Sequence, residues 1–193
     1  MARQKQFDHE AVLDQAMRLF WQQGYAATSI QDLVEATGIN RASMYGTFGD
    51  KQRLFLAAVD RYVDQISAAR LEQLRAPGSA KAALRCYFKG MIAFAQGDGQ
   101  RLGCLLTNAA VEIAPHDAEV AATLRASLGA VEDALFEAVR RGQAQGEIAV
   151  DKDARVLARF LLGVIQGLRV LMRARADETS LRDIVTVALA ALD

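Results

Sequence analysis

Proline is scarce in this chain, with two residues in 193, and so are the side chains on which catalytic and metal sites are usually built: two histidines and two cysteines. With so few helix breakers and 52% apolar residues, led by alanine and leucine, helix is expected nearly throughout. Cys86 and Cys104 are too few for a disulfide framework. No glycine-rich phosphate loop follows a strand, and no metal-ligand spacing is present. Cys104 and His116 could on paper serve as nucleophile and base, but nothing orients the histidine and their separation fits no local motif. The chain is therefore expected to be neither an enzyme nor a cofactor or metal binder. A net charge of zero argues against a bulk polyanion binder. No apolar run approaches the ~18 residues of a membrane span. The opening MARQKQFDHE lacks the apolar stretch of a secretory signal, so a cytoplasmic location with no membrane partner is expected.

What is present is concentrated in Thr28–Lys51, TSIQDLVEATGINRASMYGTFGDK. Thr28 with Gln31 three residues on fits a capping box, and Ile30, Leu33 and Val34 recur at one-turn spacing. Gly38 stands where that helix must stop, Asn40 is a second N-cap, and Arg41–Phe48 forms the next helix with Met44 and Phe48 inward. Gly49 ends it and Asp50 caps the one after. Helix, short turn with glycine, helix is the helix-turn-helix pattern, whose second helix enters the major groove. Its outward set is Arg41, Ala42, Ser43, Tyr45, Gly46 and Thr47, and Lys51 opens the following helix where an ammonium can meet a phosphate. Arg3, Lys5, Arg41, Lys51 and Arg53 flank this face, while the acids lie mainly on the first two helices. An ordinary pair of small helices with polar outer faces fits the spacing equally well.

The segment LFWQQGYAATSIQDLVEATGINRASMYGTFGDKQRLF resembles the DNA-binding domain of the tetracycline-repressor (TetR) family. The features that match are the F-x3-G-Y-x2-T-S start, the D-L-V-x-A-x-G-I turn and the S-x-Y-x-x-F-x-D-K recognition helix, from about Phe7 to Phe55. The resemblance implies a dimeric regulator, a repressor more often than an activator, that binds palindromic operator DNA and answers to a small-molecule effector. It implies that the helix at 41–48 reads base edges, that Tyr45 and Lys51 hold phosphates, and that Thr28 and Ser29 touch the backbone. Gly46-Thr47 departs from the bulkier residues many relatives carry there. An architectural DNA binder without a ligand is the alternative, separated from the first reading by whether the rest of the chain encloses a cavity.

The remainder reads as helices. Met1–Gln6 is a short basic arm, Asp8 caps a first helix, and Val12, Ala16, Leu19 and Phe20 form its inner stripe. Lys51–Leu74 carries Phe55, Val59, Tyr62 and Ile66 along one stripe and runs from the DNA end into the second half, a lever between them. Pro77 stops it. The expected layout is all-α with about nine helices: a three-helix DNA-binding domain at 1–53 and a helical ligand-binding and dimerisation domain at 54–193. Near the C-terminus, Leu157, Leu161, Val164, Leu168 and Leu171 are spaced 4-3-4-3, and Leu181, Val185 and Ala188 stripe the last helix. With Gly163 and Gly167 allowing close approach, these residues are the expected homodimer interface. The resemblance implies the same use of the last two helices. A mostly apolar effector pocket is expected from Tyr62, Tyr87, Phe88, Met91, Cys104, Asn108 and Phe160, with Glu112 left to solvent. The GCLLTNAAVE segment also resembles a TetR subgroup in which a cysteine at this place answers to electrophiles or oxidants.

Overall fold

A computed structural model describes residues 7–97, 102–174 and 177–193. The basic arm Met1–Gln6 with Arg3 and Lys5 lies outside the described residues. Within them the chain is all helix: α1 (His9–Gln23), α2 (Ile30–Thr37), α3 (Arg41–Phe48), and α4, which runs as Lys51–Tyr62, a π-helical stretch Val63–Ser67 and Ala68–Arg75. Then follow α5 (Ala80–Gln96), α6 (Leu105–Glu112), α7 (Ala118–Ala144), α8 (Ala154–Arg173) and α9 (Glu178–Ala190). None is long and apolar enough to cross a membrane.

The caps explain where the small helices begin. Asp8 accepts from Glu10 and Ala11, Asn40 from Ser43, and Asp50 from Arg53, each through backbone N–H groups that would otherwise be orphaned. The capping box lies one residue later than the sequence suggests. Ser29 accepts from the Asp32 N–H at 3.1 Å, and the Asp32 carboxylate accepts from the Ser29 N–H at 2.7 Å. An aspartate one turn in is the stronger partner, because a carboxylate accepts better than an amide and suits the positive helix end. Thr28 instead turns inward and donates to the Gly24 carbonyl at 2.6 Å.

Two apolar cores share the load. One gathers Phe20, Trp21, Leu33, Met44, Phe55 and Tyr62 from α1–α4 with Cys104, Leu105 and Leu106 at the start of α6 and Val120 and Leu124 of α7. The other gathers Leu74, Phe88, Val131, Leu135, Leu161, Ile165 and Leu168 between α4, α5, α7, α8 and α9. Three short helices bury too little to stand alone, so α6 closes their core from the far side of the chain. The α7 helix runs through Gly142 to Ala144. Gly142 is needed for packing, since a Cβ on it would lie 2.6 Å from the Ile148 side chain.

Candidate nucleic-acid interface

The face built by α3 is set by its buried residue. Met44 is 2% exposed and fixes the helix rotation, which leaves Arg41, Ala42, Tyr45, Gly46 and Thr47 exposed and Ser43 half-buried. Gly38 (φ 68°) between α2 and α3 takes the left-handed conformation that the tight connection requires. The Arg41 guanidinium lies 5.5 Å from the Tyr45 ring centroid, so the two present one cationic and aromatic patch. Ser29 is exposed at the N-terminus of α2. Thr28 is fully buried and its hydroxyl is committed to Gly24, so its side chain is not part of this face.

Lys51 is half-buried, with its ammonium 4.3 Å from the centroid of the Tyr25 ring. Burial pulls its pKa below the usual lysine value, opposed by the charges of Glu112 and Asp32. The same site corrects the reading of one residue. Glu112, expected in solvent, is half-buried and accepts the backbone N–H of Tyr25 at 3.1 Å and of Ala26 at 2.8 Å. The last residue of α6 therefore grips the turn between α1 and α2. Gly24 makes room for it: its φ is +88°, and a Cβ there would stand 2.7 Å from the carboxylate. No local pattern signals a partner 86 or 87 residues away.

A second brace joins α1 to α4. Arg61 Nε donates to Asp14 at 2.7 Å, Gln65 donates to the same carboxylate at 2.9 Å, and Arg61 also pairs with Glu10. The Arg61 hydrogen bond and charge hold the Asp14 carboxyl below its ordinary value despite burial.

Among the described residues, the expected effector residues divide between the two cores. Tyr62 and Cys104 belong to the core beneath α1, while Tyr87, Phe88 and Met91 belong to the other core. Asn108 is half-buried and donates to the Leu102 carbonyl at 3.0 Å. Phe160 is 43% exposed on the outer side of α8, because the helix turns its heptad-like stripe the other way. Half-open clefts are present among the described residues, two of them with an apolar floor. One of about 430 Å³ lies between Met17 and Trp21 of α1, Gln65 and Ile66 of α4, Phe94 and Leu102. The other, about 550 Å³, lies between α5 and α9, with Arg85, Lys89 and Arg182 over an apolar floor.

The expected dimer seam also turns inward. Leu157, Leu161 and Leu168 of α8 and Leu181, Val185 and Ala188 of α9 are buried within this chain, and Val164 is half-buried. Of the expected set only Leu171, at 37%, is exposed. The free ribbon is the opposite stripe: Val156, Phe160, Gly163, Gly167, Val170 and Leu171, with Val187 of α9. Its spacing is heptad-like too, so periodicity alone could not tell the inner stripe from the outer. Cys104 is sealed while His116 is exposed, so they do not form a nucleophile–base pair.

Comparisons with known proteins agree with this geometry. The family profile described as "Bacterial regulatory proteins, tetR family" matches residues 12–58, and that described as "Tetracyclin repressor-like, C-terminal domain" matches residues 80–188. The chain is 38% identical over 194 residues, all of both chains, to an uncharacterized HTH-type transcriptional regulator, YezE, of Bacillus subtilis (strain 168). It is 37% identical to the HTH-type transcriptional repressor ComR of Escherichia coli (strain K12), over 97% of this chain and 90% of that one. Among solved structures, a cysteine-substituted form of the TetR-family regulator CifR, complexed with 26-bp double-stranded operator DNA, superposes with a TM-score of 0.89. That likeness carries 33% identity over 99% of this chain and 100% of the other.

Proposed function

The chain belongs to the TetR family of bacterial transcriptional regulators, and from that premise we propose that it works in the cytoplasm as a homodimeric repressor whose grip on a palindromic operator is loosened by an effector. The observation that carries this reading is the α3 face, where one buried methionine leaves Arg41, Ser43, Tyr45 and Thr47 directed outward. Arg41, Ser43 and Thr47 read base edges. Tyr45, Lys51 and the N-terminus of α2 at Ser29 hold phosphates. Ala42 and Gly46 let the helix lie close in the groove. The dimer forms through the exposed ribbon of α8 and α9, where Gly163 and Gly167 have nothing near them and the flanking Phe160 and Val170 offer apolar area.

The DNA-binding domain at 1–53 is coupled to the rest through α4 and Glu112. A small apolar or aromatic effector seats in the cleft between α1 and α4 at Trp21, Ile66 and Phe94, where it presses on both sides of the junction. Linkage makes the effect reciprocal: an effector that weakens operator binding must itself bind less well to the DNA complex.

Selection of bound duplexes from a random pool tests the proposal. The expected product is an inverted repeat with half-sites roughly 34 Å apart or a multiple of that spacing. Recovery of a single unrepeated half-site, bound by a monomer, would sink it.

A further inference from the structure

Acids and bases are unevenly matched where α5 meets α9. Lys81, Arg85 and Lys89 follow one another at i, i+4 and i+8, which places all three on one face of α5 at steps of about 6 Å. The α9 helix lies along this contact in the opposite direction, since Lys81 pairs with Asp193 at one end and Gln96 donates to Glu178 at the other. Glu178 also pairs with Arg182 of its own helix. Asp193 feels the Arg85 charge as well, but its bond goes to Lys81. Both ends of the contact are thus tied by an acid that already has its cation. Between them, no ion pair among the described residues engages Arg85 or Lys89, and both are exposed.

The floor beside these cations is apolar. Ile92 of α5 and Val185 of α9 are buried members of the second core, and Leu189 is half-buried against it. Arg85, Lys89 and Arg182 line the cleft of about 550 Å³ above that floor, a volume within the range of small-molecule sites. Past Arg85, Thr186 and Leu189 it continues into a smaller hollow of about 290 Å³ that reaches Lys81. Lysine and arginine stems often cover an apolar surface while their heads stay in water. Here a trough remains with the stems in place, and two heads of like charge stand one turn apart with no acid bonded to either, an arrangement that costs stability by itself. An anion between the two heads removes that repulsion, and an apolar body attached to it covers the floor.

We propose that this trough binds an amphipathic organic anion, a carboxylate held by Arg85 and Lys89 with an alkyl body laid on Ile92, Val185 and Leu189. The guanidinium of Arg85 offers a carboxylate two parallel N–H donors, and the Lys89 ammonium adds a third from one turn on. Occupied, the trough ties α9 to α5 across the middle of their contact, as the Asp193 and Glu178 bonds tie it at the ends. None of its residues belongs to the α3 face or to the cleft between α1 and α4, so this is a second site, separate from the one assigned to operator release.

Isothermal titration of the full chain with decanoate, below the concentration at which it forms micelles, tests the site without DNA. Decanoate should bind at a single site per chain. Octanoate should bind about 4-fold more weakly, at about 2-fold for each methylene of a half-covered body. Decanol, which has the body without the charge, should bind about 10-fold more weakly or worse, and acetate, which has the charge without the body, should give no heat of binding. Arg85→Met and Lys89→Met keep apolar stems and remove the charges. Both positions are exposed, so the fold should survive, and helical circular dichroism checks it. The double variant should lose about 10-fold or more in decanoate affinity and keep the parent's affinity for decanol. Thr186→Phe, at an exposed position lining both parts of the trough, should block decanoate and remove the rise in thermal midpoint that decanoate gives the parent. Decanol binding as tightly as decanoate overturns the role of charge. Decanoate binding that survives both the double variant and Thr186→Phe overturns the site. No decanoate binding to the parent overturns the proposal outright.

Discussion

The Glu112 carboxylate at the end of α6 accepts the backbone N–H of Tyr25 at 3.1 Å, and the Tyr25 ring in turn carries the Lys51 ammonium at 4.3 Å. A helix of the larger half is thus tied, through one turn, to the lysine that opens α4. Glu112→Ala leaves two N–H groups without their charged acceptor. The expected loss is about 1 kcal/mol, the lower end for such a group, because Ala26 can turn to water. A thermal midpoint lowered by about 2–4 °C would show it. Operator affinity should change in the same variant, and an unchanged affinity would separate the clasp from DNA binding.

On the DNA face, Lys51→Ala should weaken binding to all duplexes alike and lower the salt slope by ~1. Arg41→Ala should relax preference at one half-site position, at ~1–3 kcal/mol if the contact is bidentate to guanine. Site selection with each variant distinguishes the roles. A new preferred sequence from the Lys51 variant would reverse the assignment.

The two stripes of α8 give opposite outcomes. Leu161 is fully buried within the chain, so Leu161→Ala should cost about 2–5 kcal/mol in unfolding and leave the association state alone. Phe160, one residue earlier, is 43% exposed. Phe160→Glu should leave the fold intact and produce monomers by analytical ultracentrifugation. A dimer that survives Phe160→Glu would place the interface elsewhere.

Acid should loosen the brace between α1 and α4. The folded pKa of Asp14 is depressed by Arg61, so its contribution is present above the ordinary carboxylate value near 3.8 and is lost as pH falls through the lower folded value. Asp14→Asn should flatten that part of the stability profile, measured by urea unfolding at a series of pH values. A parallel profile for the variant and the parent would rule the brace out as its source.

Much of the DNA-binding end was legible because its signals are local. Asn40, Asp50 and Gly38 each act within one turn of their own backbone, and Met44 fixes the rotation of α3 by itself. The same locality misplaced the capping box by one residue, since Thr28–Gln31 and Ser29–Asp32 differ only in which side chain finds a buried partner. Farther along, legibility fails for a physical reason. An apolar stripe says that a face is covered but not by what, so Leu157–Leu168 were read as a subunit contact when the chain covers them itself. Cys104 stood out in the sequence, yet the Tyr62 hydroxyl that donates to its sulfur meets it only through folding. Glu112 shares a face of a mostly apolar helix with Asn108, but nothing local named the Tyr25 and Ala26 N–H groups it accepts.

The π-helical stretch Val63–Ser67 in α4 gives each turn one more residue than the α-helical pitch on either side. The two ends of α4 are therefore offset in phase from those of an unbroken α-helix. Were those five residues to tighten to α pitch, the Lys51 end would rotate about the helix axis relative to the Leu74 end, as a thread advances in a nut. Such a motion needs no bend and no second break in the hydrogen-bond ladder. It would re-aim a recognition helix by torsion, and Tyr62, the residue just before the stretch, sits where that twist begins.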